Sequence, residues 1–364
     1  MRSSRAELRS AYLEWAKTCS SARFSLAASD ILKLPLSRLP VRLEDIEISG
    51  PSEYGYAPLQ DRLARRAGVP IECVVAATGT SMANHLAMAA ILEPGDELLA
   101  EHPGYEPILL AAEYLGARVR RFPRTFESGF RVIAEDVKRA MNERTRLIVL
   151  TNLHNPSGVL TSDVVLRQIG EIAVRAGTYV LVDEVYRETL FDSSPSAFHL
   201  GDNFIVTSSL TKAYGLSGLR CGWILAPAPL ALRMWRLNDL FGVIPAHAAE
   251  RISVIALDHL NEIGNWARDH VATNRALVDR FLDSRADLQS VRPPAGTIVF
   301  PRLLSGSVDD FCILLREKYE TSVVPGKFFE MPDHFRLGFG GETAIVSEGL
   351  RRMAAALDDF SGSL

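Results

Sequence analysis

The sequence has few cysteines, and those it has are not arranged for a bridge or a metal. Cys19, Cys73, Cys221 and Cys312 lie far apart and form no CxxC pair. We therefore expect neither a disulfide framework nor a zinc site, and no other bound metal. Isolated cysteines of this kind are typical of a reducing compartment, so the sequence predicts a cytoplasmic protein.

Long apolar runs and a strong charge of one sign are also missing. No apolar stretch approaches the roughly 20 residues that a membrane helix needs, and Glu7 and Glu14 interrupt the segment where a secretory signal would be apolar. Forty Lys and Arg against 44 Asp and Glu give a net charge of −4, whereas a protein built to bind nucleic acid is usually basic. We expect neither a membrane nor a nucleic acid as a partner.

What the sequence does contain is an ordinary globular composition with alternating patterns. Hydrophobic residues make up 47% of its 364 residues and charged residues 23%, and this length suggests about two domains. Short apolar runs alternate with helical patterns in the middle of the chain, which predicts an α/β fold with a parallel sheet covered on both faces. The predicted strands are 73–77, 97–100, 117–122, 146–152, 179–183, 203–208 and 222–226.

The helical patterns and the irregular stretches suggest how the domains are divided. Residues 1–20 form an amphipathic pattern that includes Tyr12 and Trp15, and 24–50 is predicted to be an irregular connector. We predict a large α/β domain over 45–262 and a smaller α+β domain that combines 1–44 with 263–364. The other predicted helices are 81–92, 105–115, 161–176, 264–284 and 343–358.

Four predicted strands end in polar motifs. Ligands of open α/β sheets bind beyond the carboxyl ends of the strands, so these motifs are candidate site residues. Each also fits a purely structural role on its own: a helix cap, a turn, a satisfied buried Asp and a surface lysine. The motifs are Thr78-Gly79-Thr80-Ser81, His154-Asn155-Pro156-Ser157-Gly158 after Asn152, Asp183-Glu184-Val185-Tyr186, and Ser209-Leu210-Thr211-Lys212.

Together the four motifs supply what pyridoxal phosphate requires. Its aldehyde needs a lysine, and its ring nitrogen needs an acidic partner so that the ring can withdraw electrons. Its phosphate needs a helix N-terminus, hydroxyl groups and preferably an arginine. We find neither the G-x-G-x-x-G nor the G-x-x-x-x-G-K-[ST] pattern of nucleotide-binding proteins.

The same segments resemble the class I and II aminotransferases, which are fold-type I pyridoxal-phosphate enzymes similar to aspartate aminotransferase. SSLTKAYGLSGLRCGW at 208–223 carries the resemblance most strongly, followed by HNPSG at 154–158 and VDEVY at 182–186. Weaker matching segments extend it from about Gly55 to Gly340. The resemblance implies a mainly parallel, seven-stranded type of sheet with helices on both faces, a smaller α+β domain and a homodimer.

The resemblance also implies roles for individual residues. Lys212 is expected to form the Schiff base and to move protons, Asp183 to pair with the ring nitrogen, and Tyr186 and Asn155 to bind the phenolic oxygen. Tyr105 is expected to stack on the ring. The residues expected to bind the phosphate are Gly79, Thr80, Ser81, Ser209 and Arg220.

On the substrate side, the resemblance implies that Arg336 binds the α-carboxylate, with Asn155 nearby. The N-terminal loop that covers the substrate reads SLAASD at 25–30, where Ala28 or Ser29 takes the place of the family's usual glycine. Tyr54 or Tyr56 is expected to reach the phosphate site of the neighbouring subunit.

The expected reaction is a ping-pong transfer of an amino group between an α-amino acid and a 2-oxo acid. Two alternatives remain. One is a pyridoxal-phosphate lyase, decarboxylase or cyclising enzyme that acts on an amino acid. The other is a binding or regulatory protein that keeps the cofactor only as a ligand.

Overall fold

The computed structural model describes residues 8–51, 53–191 and 194–361. Within these ranges the α-helices are α1 Ala11–Thr18, α2 Ala57–Ala67, α3 Gly79–Ala89, α4 Glu106–Tyr114, α5 Ala134–Ala140, α6 Asp163–Arg175, α7 Thr211–Tyr214, α8 Ala228–Asn238, α9 His247–Asp258, α10 Leu260–Asp283, α11 Val308–Glu317 and α12 Thr343–Ser361.

The strands are shorter and more numerous. They are β1 Phe24–Ser25, β2 Val74–Thr78, β3 Glu97–His102, β4 Arg118–Pro123, β5 Thr145–Thr151, β6 Tyr179–Asp183, β7 Phe204–Ser209, β8 Cys221–Leu225, β9 Leu288–Gln289, β10 Ile298–Val299, β11 Arg302–Leu303, β12 Thr321–Ser322, β13 Val324–Pro325 and β14 Phe335–Gly338.

Seven of these strands form one sheet in the order β2-β8-β7-β6-β5-β3-β4. The five strands from β7 to β4 pair in parallel, whereas β8 runs antiparallel to both of its neighbours. A parallel crossover needs a dozen or more residues, usually with a full helix, and the short link from β7 to β8 contains only the four-residue α7 and a 3₁₀ turn. The predicted sheet is confirmed as mainly parallel, with one reversed strand.

The sheet is flanked by helices, and its strands are buried along most of their length. Val180, Leu181 and Val182 of β6 are wholly inaccessible, as expected for a strand that is covered on both faces and therefore has no polar alternation. These side chains belong to one large hydrophobic core that also contains residues of α2, α3, α6 and α8.

A second hydrophobic core lies around α10, α11 and α12, and the N-terminal segment contributes Leu26 and Ile31 to it. β1 pairs in parallel with β12, so residues near the two ends of the chain are joined in one small sheet. The division into domains at 45–262 stays a prediction. No helix in the described ranges combines the length and the apolar character that a membrane span requires.

The seven long strands lie within one or two residues of their predicted bounds, but some helices differ. The N-terminal helix begins only at Ala11, because Ser10 caps it by accepting a hydrogen bond from the Leu13 amide at 3.0 Å; residues 1–7 lie outside the described ranges. Similarly, α6 is capped by Ser162. The helices α5 and α11 fall in stretches for which the sequence patterns gave no prediction.

Candidate active site

The carboxyl ends of β5, β6 and β7 lie side by side. Thr151 is paired with Asp183 across β5 and β6, and Asp183 is paired with Thr207 across β6 and β7. A cavity of about 150 Å³ lies beyond this edge of the sheet. The predicted site residues that line it are Ser29, Thr80, Ser81, Tyr105, Asn155, Asp183, Tyr186, Ser209, Lys212, Arg220 and Arg336.

Asp183 is a buried carboxylate at the end of β6. It accepts hydrogen bonds from Asn84 Nδ2 at 2.8 Å and from the Val185 amide at 3.0 Å, and Asn84 is held in turn by Thr207 at 2.6 Å. Burial raises the pKa of Asp183 to about 6, although the bonds from Asn84 and Val185 oppose the shift. The carboxyl group is thus held in place by two hydrogen bonds, and a protonated ring nitrogen beside it would supply the positive charge that its burial leaves uncompensated.

Lys212 lies in α7, three residues after the end of β7. Its Nζ donates a hydrogen bond to Ser29 Oγ at 3.1 Å, and the Tyr186 hydroxyl donates to the same oxygen at 2.7 Å. Burial acts to lower the pKa of Lys212, but the electrostatic influence of Tyr186 and Asp30 outweighs it, and the pKa lies above its ordinary value. The amine is thus charged and hydrogen-bonded at the wall of the cavity.

The start of α3 forms a cradle for an anion. Gly79 has a φ of +73°, and a Cβ on it would lie 2.2 Å from Arg220 Nη2, so only glycine allows the arginine to approach. The Thr80 Oγ1 atom is buried and has no partner among the described residues. Free amides and the helix dipole at this N-terminus favour a phosphate. Together with Lys212 and Asp183, the cradle fits pyridoxal phosphate.

Arg336 is buried on β14 and also lines the cavity. Its Nη1 donates to Asn155 Oδ1 at 2.9 Å, and its Nη2 donates to the Tyr12 hydroxyl at 2.9 Å and to the Ala27 carbonyl at 3.2 Å. Its Nε has no partner in the described part of the chain. A buried guanidinium with a free donor is suited to binding a carboxylate.

Asn155 is connected through hydrogen bonds to a buried ion pair. The backbone amide of Asn155 donates to Thr151 Oγ1 at 2.8 Å, and Thr151 Oγ1 donates to Glu101 Oε1 at 2.6 Å. Arg124 Nη1 donates to the other oxygen of Glu101 at 2.7 Å, and both partners are almost fully buried. The orientation of Arg336 is therefore linked, through Asn155, to the ends of β3 and β5.

Some predicted residues lie outside the cavity. Gly79 does not line it, but its lack of a Cβ leaves room for Arg220, which does. Tyr54 donates to Asp239 Oδ2 at 3.1 Å, and the Tyr56 ring lies 4.8 Å from that of His247, so neither tyrosine lines the cavity of its own chain. Within the described ranges, no three His, Cys, Asp or Glu side chains lie close enough together to hold a metal ion.

Sequence reasoning missed three residues that shape the site: Tyr12, Asn84 and Thr151. Asn84 could have been found, because it lies one helical turn after Ser81 and so shares its face of α3. Tyr12 could not, because it is part of the apolar stripe of the N-terminal helix and looks like a core residue. Its hydroxyl becomes a site group only through the contact with Arg336, which is 324 residues away in sequence.

Comparisons with known proteins agree with this geometry. The model of the family described as aminotransferase class I and II matches residues 46–353. The capreomycidine synthase of Streptomyces vinaceus is 30% identical over 292 residues, which cover 79% of this chain and 75% of the relative. The arginine–pyruvate transaminase of Pseudomonas aeruginosa is 30% identical over 338 residues, which cover 87% of this chain and 86% of the relative.

A solved structure shows the same fold over nearly the whole chain. The pyridoxal-phosphate-dependent aminotransferase of Streptococcus suis superposes with a TM-score of 0.91 at 27% identity, covering 97% of this chain and 98% of that one. The predicted fold class, cofactor and enzyme class are thereby confirmed. The chain belongs to the class I and II aminotransferase family and is a pyridoxal-phosphate-dependent aminotransferase.

Proposed function

We propose that Lys212 carries the cofactor between turnovers and, once an α-amino acid displaces it, moves a proton at the α carbon of that substrate. The amino group then passes to a 2-oxo acid in a second half-reaction. Bound pyridoxal phosphate supplies the electron-withdrawing ring that this chemistry needs. The observation that supports the proposal most directly is that Lys212, Asp183 and Arg336 face one cavity.

The other residues of the cavity have supporting roles. With pyridoxal phosphate bound, Asp183 would keep the ring nitrogen protonated, Tyr186 and Asn155 would bind the phenolic oxygen, and Tyr105 would stack on the ring. Arg336 binds the α-carboxylate, with Asn155 and Ser29 beside it. The group proposed to hold the phosphate consists of Gly79, Thr80, Ser81, Ser209 and Arg220.

We also propose that the protein is a cytoplasmic homodimer in which Tyr54 or Tyr56 reaches the partner's phosphate site. The segment around Gly50 packs on α9 near His247, and its neighbour Ile48 is 88% exposed. Leu240, just after α8, is 77% exposed. Exposed apolar side chains on neighbouring elements are typical of an interface. Sedimentation of an active monomer would contradict the dimer.

A cyclising reaction is the second candidate, because a capreomycidine synthase is 30% identical over 79% of this chain. The two candidates differ in the fate of the amino group. Transamination converts the cofactor to its pyridoxamine form and releases a 2-oxo acid, whereas a cyclising enzyme retains the amino group in a cyclic product. Mass analysis of the product therefore separates them.

The test uses the purified, cofactor-loaded enzyme and single L-amino acids without any 2-oxo acid. L-Arginine followed by pyruvate is the first pair to try, since a relative is an arginine–pyruvate transaminase. We expect the absorbance to change to that of the pyridoxamine form and to return when the 2-oxo acid is added. If no amino acid changes it, transamination of these donors is excluded.

The matched variants are Lys212→Ala and Lys33→Ala. Removing Lys212 takes away both the covalent attachment and the proton carrier. The rate of amino-group transfer should therefore fall roughly 100- to 10,000-fold. Lys33 is an exposed lysine of the N-terminal segment, and its replacement should leave the rate unchanged. Full turnover by Lys212→Ala would contradict the proposed role.

A further inference from the structure

Ser29 lies in a segment whose backbone is held on both sides. The Leu26 carbonyl accepts a hydrogen bond from the Gly338 amide at 2.7 Å, and the Ile31 amide donates to the carbonyl of Lys212 itself at 3.1 Å. The Ser29 carbonyl accepts from Thr297 Oγ1 at 2.6 Å. Ser29 is only 5% exposed, so its hydroxyl has a defined position.

That hydroxyl joins two groups to which the proposed chemistry assigns a role. Lys212 Nζ and the Tyr186 hydroxyl both donate to Ser29 Oγ, at 3.1 and 2.7 Å. Among the described residues, Ser29 Oγ is the one hydrogen-bond acceptor of Lys212 Nζ. A serine oxygen has two lone pairs, and these two donors use both. A glycine at position 29 would offer no such acceptor.

We propose that Ser29 is a positioning residue that binds Lys212 and Tyr186 together and thereby sets the pH at which the bound cofactor loses its proton. The proposal rests on the roles proposed above for Lys212 and Tyr186. It assigns Ser29 a task in the substrate-free enzyme, whereas the resemblance implies only that this position covers the substrate.

The direction of the effect follows from the single proton of Tyr186. Ser29 Oγ, at 2.7 Å from the Tyr186 hydroxyl, competes with the phenolic oxygen of the cofactor for that proton. A hydrogen bond to the phenolic oxygen favours its ionised form. Removing the Ser29 hydroxyl therefore releases Tyr186 to that oxygen and also removes an acceptor from the lysine nitrogen. Both changes favour loss of the cofactor's proton, so it should occur at lower pH.

Other charged and titratable groups face Lys212, and a substitution of Ser29 leaves them in place. They come from four different parts of the fold: the N-terminal segment, α1, the end of β6 with the turn that follows it, and β14. The groups are Asp30, Tyr12, Asp183, Tyr186 and Arg336. Because none of these residues is substituted, a shift in the titration of a Ser29 variant reports on the loss of the hydroxyl and of its two hydrogen bonds.

The experiment is a titration of the absorbance of the cofactor-loaded enzyme from acid to alkaline pH without substrate. Ser29→Ala should lower the midpoint by about 0.4 to 1 pH unit, the equivalent of one hydrogen bond. Ser29→Thr keeps the hydroxyl and should restore the midpoint towards that of the wild type. Ser25→Ala removes a hydroxyl from the same segment, where it contacts Ser322, and should leave the midpoint unchanged.

Steady-state kinetics provide the second readout. A positioning role predicts that Ser29→Ala lowers kcat and shifts its pH profile, with little change in KM. An unchanged midpoint together with a higher KM would overturn the proposal and leave Ser29 as a substrate-covering residue. If Ser29→Ala retains too little cofactor, Ser29→Cys is titrated in its place. The cysteine sulfur is a weaker acceptor than the serine oxygen, so the midpoint should shift by less but in the same direction. An unshifted midpoint in Ser29→Cys would also overturn the proposal.

The titration also separates this proposal from the proposed function. It needs bound cofactor but no substrate, so the midpoints can be compared even if the wild type transfers no amino group. Absence of transamination with a shifted midpoint would reject the proposed reaction alone. Normal transamination with an unshifted midpoint would reject only the role of Ser29.

Discussion

The two walls of the cavity are built in different ways. The cofactor wall, by which we mean Thr80, Asp183 and Lys212, consists of residues that lie at or just after the ends of β2, β6 and β7 in the seven-stranded sheet. The substrate wall consists of Tyr12 and Arg336, which lie far apart in the sequence, near the two ends of the chain. The first wall is therefore built within one sheet, and the second only when distant segments meet.

This difference has a consequence for mutation. Residues of the cofactor wall are held by buried strands and by short local bonds, such as that from the Val185 amide to Asp183 at 3.0 Å. Residues of the substrate wall hold one another, as in the 2.9 Å contact between Arg336 and Tyr12. We expect substitutions in the cofactor wall to lower kcat and those in the substrate wall to raise KM.

Among the substitutions that compare the two walls, the largest effect is expected for Asp183→Asn. An amide cannot keep the ring nitrogen protonated, so kcat should fall roughly 100- to 1,000-fold, the range seen when one stabilising group of an active site is removed. KM should change little. The control is Asp202→Asn, an exposed aspartate that precedes β7 at the other end of the sheet. Steady-state kinetics would compare the kcat values of the two variants. A wild-type kcat in Asp183→Asn would contradict the expectation that cofactor-wall substitutions lower kcat.

A smaller effect of a different kind is expected for Arg336→Lys. Lysine keeps the charge but cannot bind a carboxylate through two parallel donors, and the loss of one charged hydrogen bond should raise KM for the amino acid roughly 10- to 100-fold. The absorbance of the bound cofactor should not change. Arg302→Lys, on the nearby β11, is the control. A change in cofactor binding without a change in KM would assign Arg336 to the cofactor wall.

The smallest effect is expected for Tyr12→Phe. The ring still packs edge-on against Tyr105 at 5.9 Å, but Arg336 loses one neutral acceptor, so KM should rise about 2- to 10-fold. Kinetics of Tyr179→Phe, a substitution at the far end of β6, provide the comparison. An unchanged KM in Tyr12→Phe would show that Asn155 and the Ala27 carbonyl orient Arg336 without help from Tyr12.

The cofactor wall was predictable because its signals are local. A buried strand reads as an apolar run, its end is marked by the first polar residue, and parallel strands place their ends on one edge of the sheet. Asp183 and Lys212 were found in this way, whereas Asn84 was not, because it does not end a strand and only its helical spacing from Ser81 marks it as a site residue. The reversal of β8 was also missed, since an apolar run has the same composition in either direction.

The sequence alone determined the strands of the large sheet and the residues at their ends, and the types of these residues, with the family resemblance that they carry, led to the expectation of pyridoxal phosphate. Only the tertiary structure placed Tyr12 on Arg336, Ser29 between Lys212 and Tyr186, and the buried Glu101–Arg124 pair behind Asn155. The physical reason is how far apart in the sequence the interacting residues lie. Strand patterns follow from the burial of near neighbours in sequence, but a hydrogen bond between residues 324 positions apart exists only after the whole chain has packed.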